Sequence, residues 1–222
     1  MATAYRGAPT LGEEIRAWRE GYRHVAGIDE AGRGPMAGPV VAAAVILDPQ
    51  FASLWWSELR DSKLTTHRRR LGLAARLRET AASGIGAASN DEIDRLGLLV
   101  ATRLAMLRAL EALPSNPDLL LIDAVTLPEG QSSDGENGQT WPQRALIHGD
   151  TLSFSVAAAS ILAKVERDRL MDEYDAAYPQ YGFAHNRGYC TRDHQRALGE
   201  HGPCPIHRRS FAPVRAWLDA RR

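Results

Sequence analysis

Apolar positions along the chain follow two periods, and their alternation predicts the elements. Leu11, Ile15, Trp18 and Tyr22 recur on one face of a predicted helix over residues 10–23, with Thr10 and Glu13 spaced as a capping box. The apolar run from His24 to Ile28 reads as a strand entering the core, and Val40 to Leu47 as a second strand. Pro49 to Arg60, with Trp55 and Trp56, fits either a short helix or a loop. A helix begins at about Thr66 and carries His67, Arg68, Arg69 and Arg70. Gly84 to Ser89 is a short third strand; Asn90 then caps a helix that breaks at Gly97 and runs to Leu113. Pro117 to Asp123 and Arg144 to His148 are the remaining strands, separated by a polar, glycine-rich loop from Glu129 to Thr140. Ser153 to about Tyr174 is a long helix. Its small, apolar first half suits close packing on a sheet, and the charged half from Lys164 to Asp175 suits solvent. A loop from Pro179 to Arg187, a helix from about Thr191 to Leu198, a break at Gly202 to Pro205 and a short helix around Ala212 to Ala220 complete the chain. There is no internal repeat. Strands interleaved with helices predict an α/β layer with a helical C-terminal appendage.

Composition narrows the class. A chain of 222 residues with 44% hydrophobic and 24% charged residues buries an ordinary core, in one domain or a domain with an appendage. No apolar run reaches the roughly 18 residues of a membrane helix. Met1 to Arg23 has no apolar signal core, so a cytoplasmic location is expected. Cys190 and Cys204 make no disulfide framework, which suits a reducing compartment. A net charge of +0 gives no support to a generic nucleic-acid binder, although it does not say where charges sit. Only Lys63 and Lys164 are lysines, leaving 25 of the 27 basic residues as arginine. Such a bias hints that these two positions need a compact ammonium group.

The candidate chemistry is at the strand ends. The first strand delivers Asp29 and Glu30, the fourth Asp123, and the fifth is followed by Gly149 and Asp150. Buried carboxylates are costly unless paired or bound to a metal. Adjacent strand residues point to opposite faces, so Asp29 and Glu30 share a site only if the strand ends or twists at Glu30, which Gly32 and Gly34 permit. Gly27-x4-Gly32 begins like a phosphate loop, but Arg33-Gly34 replaces the required Lys-Ser/Thr. Gly32-x-Gly34-x-x-Ala37 fits a dinucleotide fingerprint, but a strand follows where a helix is needed. Four oxygen donors suit Mg²⁺ or Mn²⁺. Two such ions about 3.5–4 Å apart would clamp the attacking and leaving oxygens of a phosphodiester, so hydrolysis of that bond is the natural reaction class. The helix start near Lys63 and Arg68 to Arg70 is equally a phosphate contact or a solvated basic face. Cys190, His194, Cys204 and His207 can be drawn as an irregular zinc site. Ser160 and Lys164 are spaced as a nucleophilic pair, against the plainer reading of helix packing beside a solvent-facing lysine.

Taken together and in order, the motifs resemble the ribonuclease HII family. They are Gly27-Ile28-Asp29-Glu30-Ala31-Gly32-Arg33-Gly34-Pro35, Asp61-Ser62-Lys63-Leu64-Thr65, Ile122-Asp123-Ala124 and Gly149-Asp150 with the helix Ala157 to Asp168. Asn186-x-Gly188-Tyr189-x-Thr191-x2-His194 and Gly202-Pro203-x3-His207-Arg208-x-Ser210-Phe211 complete the set. The resemblance implies a ribonuclease H-like fold, a five-stranded mixed sheet flanked by helices. The catalytic domain would span residues 1–175, with an N-terminal helix in 1–23, and residues 176–222 would form a helical segment contributing to substrate binding. It implies cleavage of RNA in RNA–DNA hybrids and incision 5′ to single ribonucleotides in duplex DNA, leaving 3′-hydroxyl and 5′-phosphate ends. Asp29, Glu30, Asp123 and Asp150 would carry Mg²⁺ or Mn²⁺. Gly32, Arg33 and Gly34 would contact the ribose 2′-hydroxyl, the group that distinguishes RNA from DNA. Tyr189 would stack beneath the sugar at the junction, and Lys63 and Lys164 would serve phosphate or a metal-bound carboxylate. The expected partners are RNA–DNA hybrids and ribonucleotide-containing duplex DNA, with a monomeric protein and no membrane; the sequence does not say whether a sliding clamp or polymerase also binds. Two departures stand out. The Glu129–Thr140 loop lengthens the segment before Asp150, so Asp134, Glu136 and Asp168 are rival fourth ligands; Asp150 is preferred because it follows a buried strand. Leu64 stands where a second lysine is common. An idle hybrid-binding scaffold, ribonuclease HIII or a DNA-strand integrase are the competing readings; all four acids weigh against the scaffold, the Gly-Arg-Gly turn and Tyr189 against the integrase, and no extra N-terminal domain of the ribonuclease HIII kind is expected.

Overall fold

The computed structural model of the protein describes residues 8–48, 58–59, 66–130 and 139–221. The Asp61–Thr65 motif with Lys63, and the rival ligands Asp134 and Glu136, lie outside the described residues. Five strands form one mixed sheet in the order β3-β2-β1-β4-β5. These are β1 (Val25–Ala31), β2 (Val40–Ile46), β3 (Ala82–Ala88), β4 (Leu119–Asp123) and β5 (Gln143–Leu146). β2 runs antiparallel to both β1 and β3, whereas β4 is parallel to both β1 and β5.

The strands are apolar on both sides because helices cover both faces. Ile28, Ala42, Ala44, Leu120 and Ile122 pack against α4 (Leu98–Glu111). Ala43 and Val45 face α2 (His67–Thr80) and α5 (Phe154–Ala177) through Leu73, Ala158 and Leu162. Gly27 sets the distance between β1 and α5. A Cβ there would lie 2.2 Å from the Ser155 carbonyl carbon and 2.3 Å from Val156 N, so only glycine lets the helix start sit on the strand. α3 (Asn90–Leu96) is capped by Ser89 with a reciprocal Glu92 box, one residue earlier than the predicted Asn90 cap; the Asn90 side chain bonds the Pro205 carbonyl instead.

Three expectations are corrected. Thr10 is not the N-cap residue of α1 (Gly12–Arg19), a position Leu11 takes; Thr10 Oγ1 accepts from Gly12 N at 3.1 Å, and its backbone pairs with Leu152 O and Phe154 N. The inward face of α1 centres on Glu14 and Ala17, and Ile15 is exposed, because Glu14 Oε1 accepts from Ser153 Oγ (2.6 Å), Ser155 N (2.8 Å) and Ser155 Oγ (2.8 Å). The charged half of α5 is solvated on one face only: Arg169, Asp172 and Glu173 are exposed, but Arg167, Asp168 and Met171 are buried. Chain expected as a loop covers it, with a 3₁₀ turn Pro179–Tyr181 and α6 (Phe183–Asn186). Met171, Tyr181, Phe183, Ala197 and Ile206 form a cluster there, joining α7 (Arg192–His201) to the rest. The last helix, α8 (Ala212–Asp219), packs Val214 against Met36 and Leu198. No helix among the described residues is long and apolar enough to cross a membrane.

Candidate active site

Strand register gathers the acids. β1 pairs with β4 only as far as Ile28 and Ile122, but stays paired with β2 through Ala31 and Val41. The predicted strand end at Ile28 is therefore corrected to Ala31. One step past the last β1–β4 pair, Asp29 and Asp123 stand at matching positions of parallel strands, so their side chains share a face. Beyond that point β4 has ended, and Glu30, still paired with Ala42 of β2, meets an open crevice on its other side. Crevices at the carboxyl ends of parallel strands are the usual ligand site of such sheets.

Asp29 is buried, and its Oδ1 accepts from Glu30 N at 2.7 Å while the Ser160 side chain bonds the same carboxylate. Burial, then the charges of Glu30 and Asp123, push Asp29 up to about 8. Glu30 is also raised, by burial and Asp123, against the lowering effect of Arg33, whose Nη1 donates to Glu30 Oε1 at 3.1 Å. The second oxygen, Glu30 Oε2, is buried with no hydrogen-bond partner. Asp123 Oδ1 accepts from Gly149 N at 3.0 Å, which ties the turn carrying Asp150 to the end of β4. Asp150 itself is buried. It lies on a 3₁₀ turn, Gly149–Thr151, and not directly after a strand, because left-handed His148 (φ 60°) ends the extended run.

Among the described residues no three His, Cys, Asp or Glu side chains converge as a finished cation cage. The donors are instead held by protein groups, Glu30 by Arg33 and Asp123 by Gly149. Their chemistry fits a hard divalent cation: all are oxygens, Glu30 Oε2 is unsatisfied, and the adjacent buried carboxylates repel each other.

A cleft of about 400 Å³ opens beside these acids, lined by Glu30, Gly32, Arg70, Ser160, Lys164 and Tyr189 among others. Gly32 has φ +96°, and a Cβ there would fall 2.0 Å from Arg167 Nε and 2.7 Å from Pro39 O, so the turn admits glycine only. Tyr189 is 49% exposed and its ring lies alongside Gly34, 3.5 Å from where a Cβ would be. Lys164 Nζ donates to Asp168 Oδ1 at 2.6 Å, and Arg187 approaches the same carboxylate at 3.8 Å, so the rival ligand Asp168 is already engaged by cations.

Several residues of this region escaped the sequence reading. Ser160, read there mainly as packing, serves Asp29. Arg70, by contrast already a candidate phosphate contact in the sequence, reaches the cleft, and its Nε is buried without a partner. Two fully buried arginines brace this region through backbone carbonyls, Arg208 on the glycine turn itself and Arg167 on the chain just beyond it and on Arg187. Arg167 donates to Pro39 O (3.2 Å) and Arg187 O (2.9 Å), and Arg208 to Gly38 O (2.9 Å), Arg33 O (3.0 Å) and Gly32 O (2.6 Å). Among so many arginines, no local signal marks these two as internal. The Cys/His set does not gather as a zinc site. Cys190 Sγ takes Gln195, Cys204 Sγ lies against His207, and the two histidines face each other at 3.0 Å.

Comparison with solved structures defines the class first. The fold superposes on the ribonuclease H2 of Pyrococcus horikoshii OT3 with a TM-score of 0.72 and 25% identity, covering 88% of this chain and 97% of that one. The fold is thus ribonuclease H-like. The family model of ribonuclease HII matches residues 26–214. A ribonuclease HII of Desulfitobacterium hafniense is 51% identical over 220 residues, 99% of this chain and 80% of that protein. One from Moorella thermoacetica is 53% identical over 199 residues, 89% and 91% of the two chains. The chain belongs to the ribonuclease HII family and is a metal-dependent ribonuclease H.

Proposed function

We propose that this enzyme cuts the RNA strand of RNA–DNA hybrids and also incises 5′ to single ribonucleotides embedded in duplex DNA, leaving 3′-hydroxyl and 5′-phosphate ends, as a step in removing ribonucleotides from DNA. The observation that carries the reading is the juxtaposition of two elements. Buried Asp29 and partly buried Glu30 adjoin Asp123 at the open end of β1, and the glycine-only turn at Gly32 follows within the same strand-turn unit.

In this reading Asp29, Glu30, Asp123 and Asp150 hold Mg²⁺ or Mn²⁺. Bound there as a pair, the ions would supply an activated water and neutralise the developing charge on the phosphate and leaving oxygen. Arg33 must release Glu30 Oε1 for that oxygen to serve as a donor, and its side chain then turns to the nucleic acid. Ser160 fixes the Asp29 carboxylate. The Gly32–Gly34 turn brings backbone donors close to the ribose 2′-hydroxyl, which a Cβ would prevent. Tyr189 lays its ring beneath the sugar on the 3′ side, where an aromatic face tolerates deoxyribose. Lys63, Lys164 and Arg70 meet backbone phosphates. Residues 1–175 form the catalytic domain, and residues 176–222 carry Tyr189 and the braces of the turn. The enzyme acts as a monomer in the cytoplasm, and its two free cysteines suit that compartment.

The test is a DNA duplex containing one ribonucleotide, offered with Mg²⁺, with Mn²⁺ and with EDTA. Incision 5′ to the ribose, abolished by EDTA, is expected. Cleavage of an all-DNA duplex, or of long hybrids alone, would overturn the reading.

A further inference from the structure

Behind Tyr189 lies a hydrogen-bonded chain of two buried histidines that the metal chemistry does not use. Cys204 N donates to His207 Nδ1 at 3.0 Å, His207 Nε2 meets His194 Nε2 at 3.0 Å, and His194 Nδ1 meets the Tyr189 carbonyl at 2.9 Å. His194 is 0% and His207 1% exposed. The two ends of the chain fix its protons. A backbone N–H can only donate, so His207 Nδ1 must accept and its proton is on Nε2. That proton faces His194 Nε2, which must accept, leaving His194 Nδ1–H for the carbonyl. With both rings neutral, one arrangement of protons satisfies every partner. A further proton would set two donors face to face, at the ring–ring contact or at Cys204 N.

The surroundings favour this neutral state. Burial lowers both rings, and His207, with His194 beside it, falls to about 4. The neighbours are the Tyr181 ring, 4.9 Å from His207, the Phe183 ring, 5.2 Å from His194, and the Cys204 thiol. The tyrosine hydroxyl is committed to Gly202 O at 2.6 Å. No carboxylate is among the groups acting on either ring.

The chain joins the two halves of the cleft rim. His207 forms a bridge with Ala37, flanked by Gly38 N to Ile206 O and Arg208 N to Met36 O, both 2.9 Å. The next residue, Arg208, grips Gly32 and Arg33 by their carbonyls. At the other end are Tyr189 and Gly188, whose carbonyl accepts from Met36 N at 2.9 Å. The relay therefore spans from the segment that holds the glycine turn to the residue whose ring lies against that turn.

We infer that His194 and His207 are positioning residues for substrate choice: a neutral relay of fixed proton direction sets the Tyr189 ring against the Gly32–Gly34 turn and so sets the preference for single ribonucleotides over long hybrids. This rests on the proposed role of Tyr189. The readout is the ratio of kcat/KM for a single-ribonucleotide duplex to that for a long hybrid. His207→Phe fills the space but leaves His194 Nε2 without its donor, and lowers the ratio by about tenfold, the loss seen as a higher KM for the single-ribonucleotide duplex. His207→Gln places an amide donor near the position of Nε2 and restores the ratio to within about twofold of wild type. In a Tyr189→Ala background His207→Phe lowers the ratio no further. Equal losses on both substrates, or losses that add in the double variant, would reduce the pair to packing and overturn the inference. The failures are separable: Tyr189→Ala that leaves the ratio unchanged refutes the role of Tyr189, whereas a Tyr189→Ala effect without a His207→Phe effect refutes the relay alone. Should His207→Phe not fold, nitrogen NMR of the wild-type imidazoles decides. Between about pH 6 and 8, His207 must be protonated on Nε2 and His194 on Nδ1; charged rings or the opposite tautomers contradict the relay.

Discussion

Arg208 Nη2 donates to the carbonyl of Gly32 at 2.6 Å, joining residues 176 positions apart in the chain. All three of the guanidinium nitrogens that reach this turn end on carbonyl oxygens, and burial with nearby Arg167 pushes Arg208 down to about 9. The three carbonyls are met from three separate nitrogens in one rigid plane, whereas the three donors of an ammonium all radiate from a single nitrogen and cannot span them. Arg208→Lys is expected to leave a folded protein with sharply reduced cleavage of single-ribonucleotide duplexes. Arg208→Met, which strands those carbonyls, should cost about 3 kcal/mol or more in denaturant unfolding. Unchanged cleavage by Arg208→Lys would show that the turn holds its shape unaided.

The contact between β1 and α5 carries the second prediction. A methyl at Gly27 would fall on backbone atoms of Ser155 and Val156, which cannot rotate away. Gly27→Ala must push the helix off the strand and carry Ser160 away from Asp29. Destabilisation of about 3 kcal/mol or more and loss of turnover are expected together, by chemical denaturation and a cleavage assay.

Glu14 separates folding from chemistry. Its buried Oε1 collects three donors from Ser153 and Ser155 at the start of α5. Glu14→Ala is expected to cost about 2–3 kcal/mol of stability, since those donors are left unpaired. The folded fraction should retain near-wild-type kcat at a temperature well below its Tm. A stable variant would show that water replaces the carboxylate.

Acid should act on the fold through the histidine relay. The folded-state pKa of His207 is depressed to about 4, below the ordinary 6.5, so the neutral ring contributes stability that is complete above 6.5 and lost as pH falls toward 4. Other groups titrate in the same range, and comparison with His207→Gln isolates this one. The stability difference between wild type and variant, read by thermal unfolding, should shrink between pH 6.5 and pH 4. A constant difference would contradict a neutral buried pair.

Much of this architecture was legible in the sequence, because apolar runs ending in acids and a small-residue helix are local patterns. β2 is buried throughout, as its unbroken apolar run predicts, and the glycine turn follows β1 as read. What escaped depends on distant partners. Glu14 looks like a surface helix acid until Ser153 and Ser155 are beside it, so the inward face of α1, on which Leu11, Trp18 and Tyr22 do pack, was read with exposed Ile15 and without its buried acid. Arg167 and Arg208 are invisible among surface arginines, because only the folded turn offers them carbonyls. The 3₁₀ turn that carries Asp150 was hidden by left-handed His148, which no apolar period reveals. The Cys/His spacing suggested a metal, but each ring nitrogen already has a partner on the chain itself.

The most direct test of the central claim compares wild type with Asp29→Asn on a duplex bearing one ribonucleotide, at saturating Mg²⁺ and again with Mn²⁺. Asparagine keeps the size of the side chain and removes the charge that a buried cation needs. The variant is expected to fold, to bind the duplex nearly as tightly as wild type, and to lose turnover by about a thousandfold or more, on the scale of removing a principal source of transition-state charge stabilisation. Turnover within about tenfold of wild type would contradict the assignment of Asp29, and with it the proposed site.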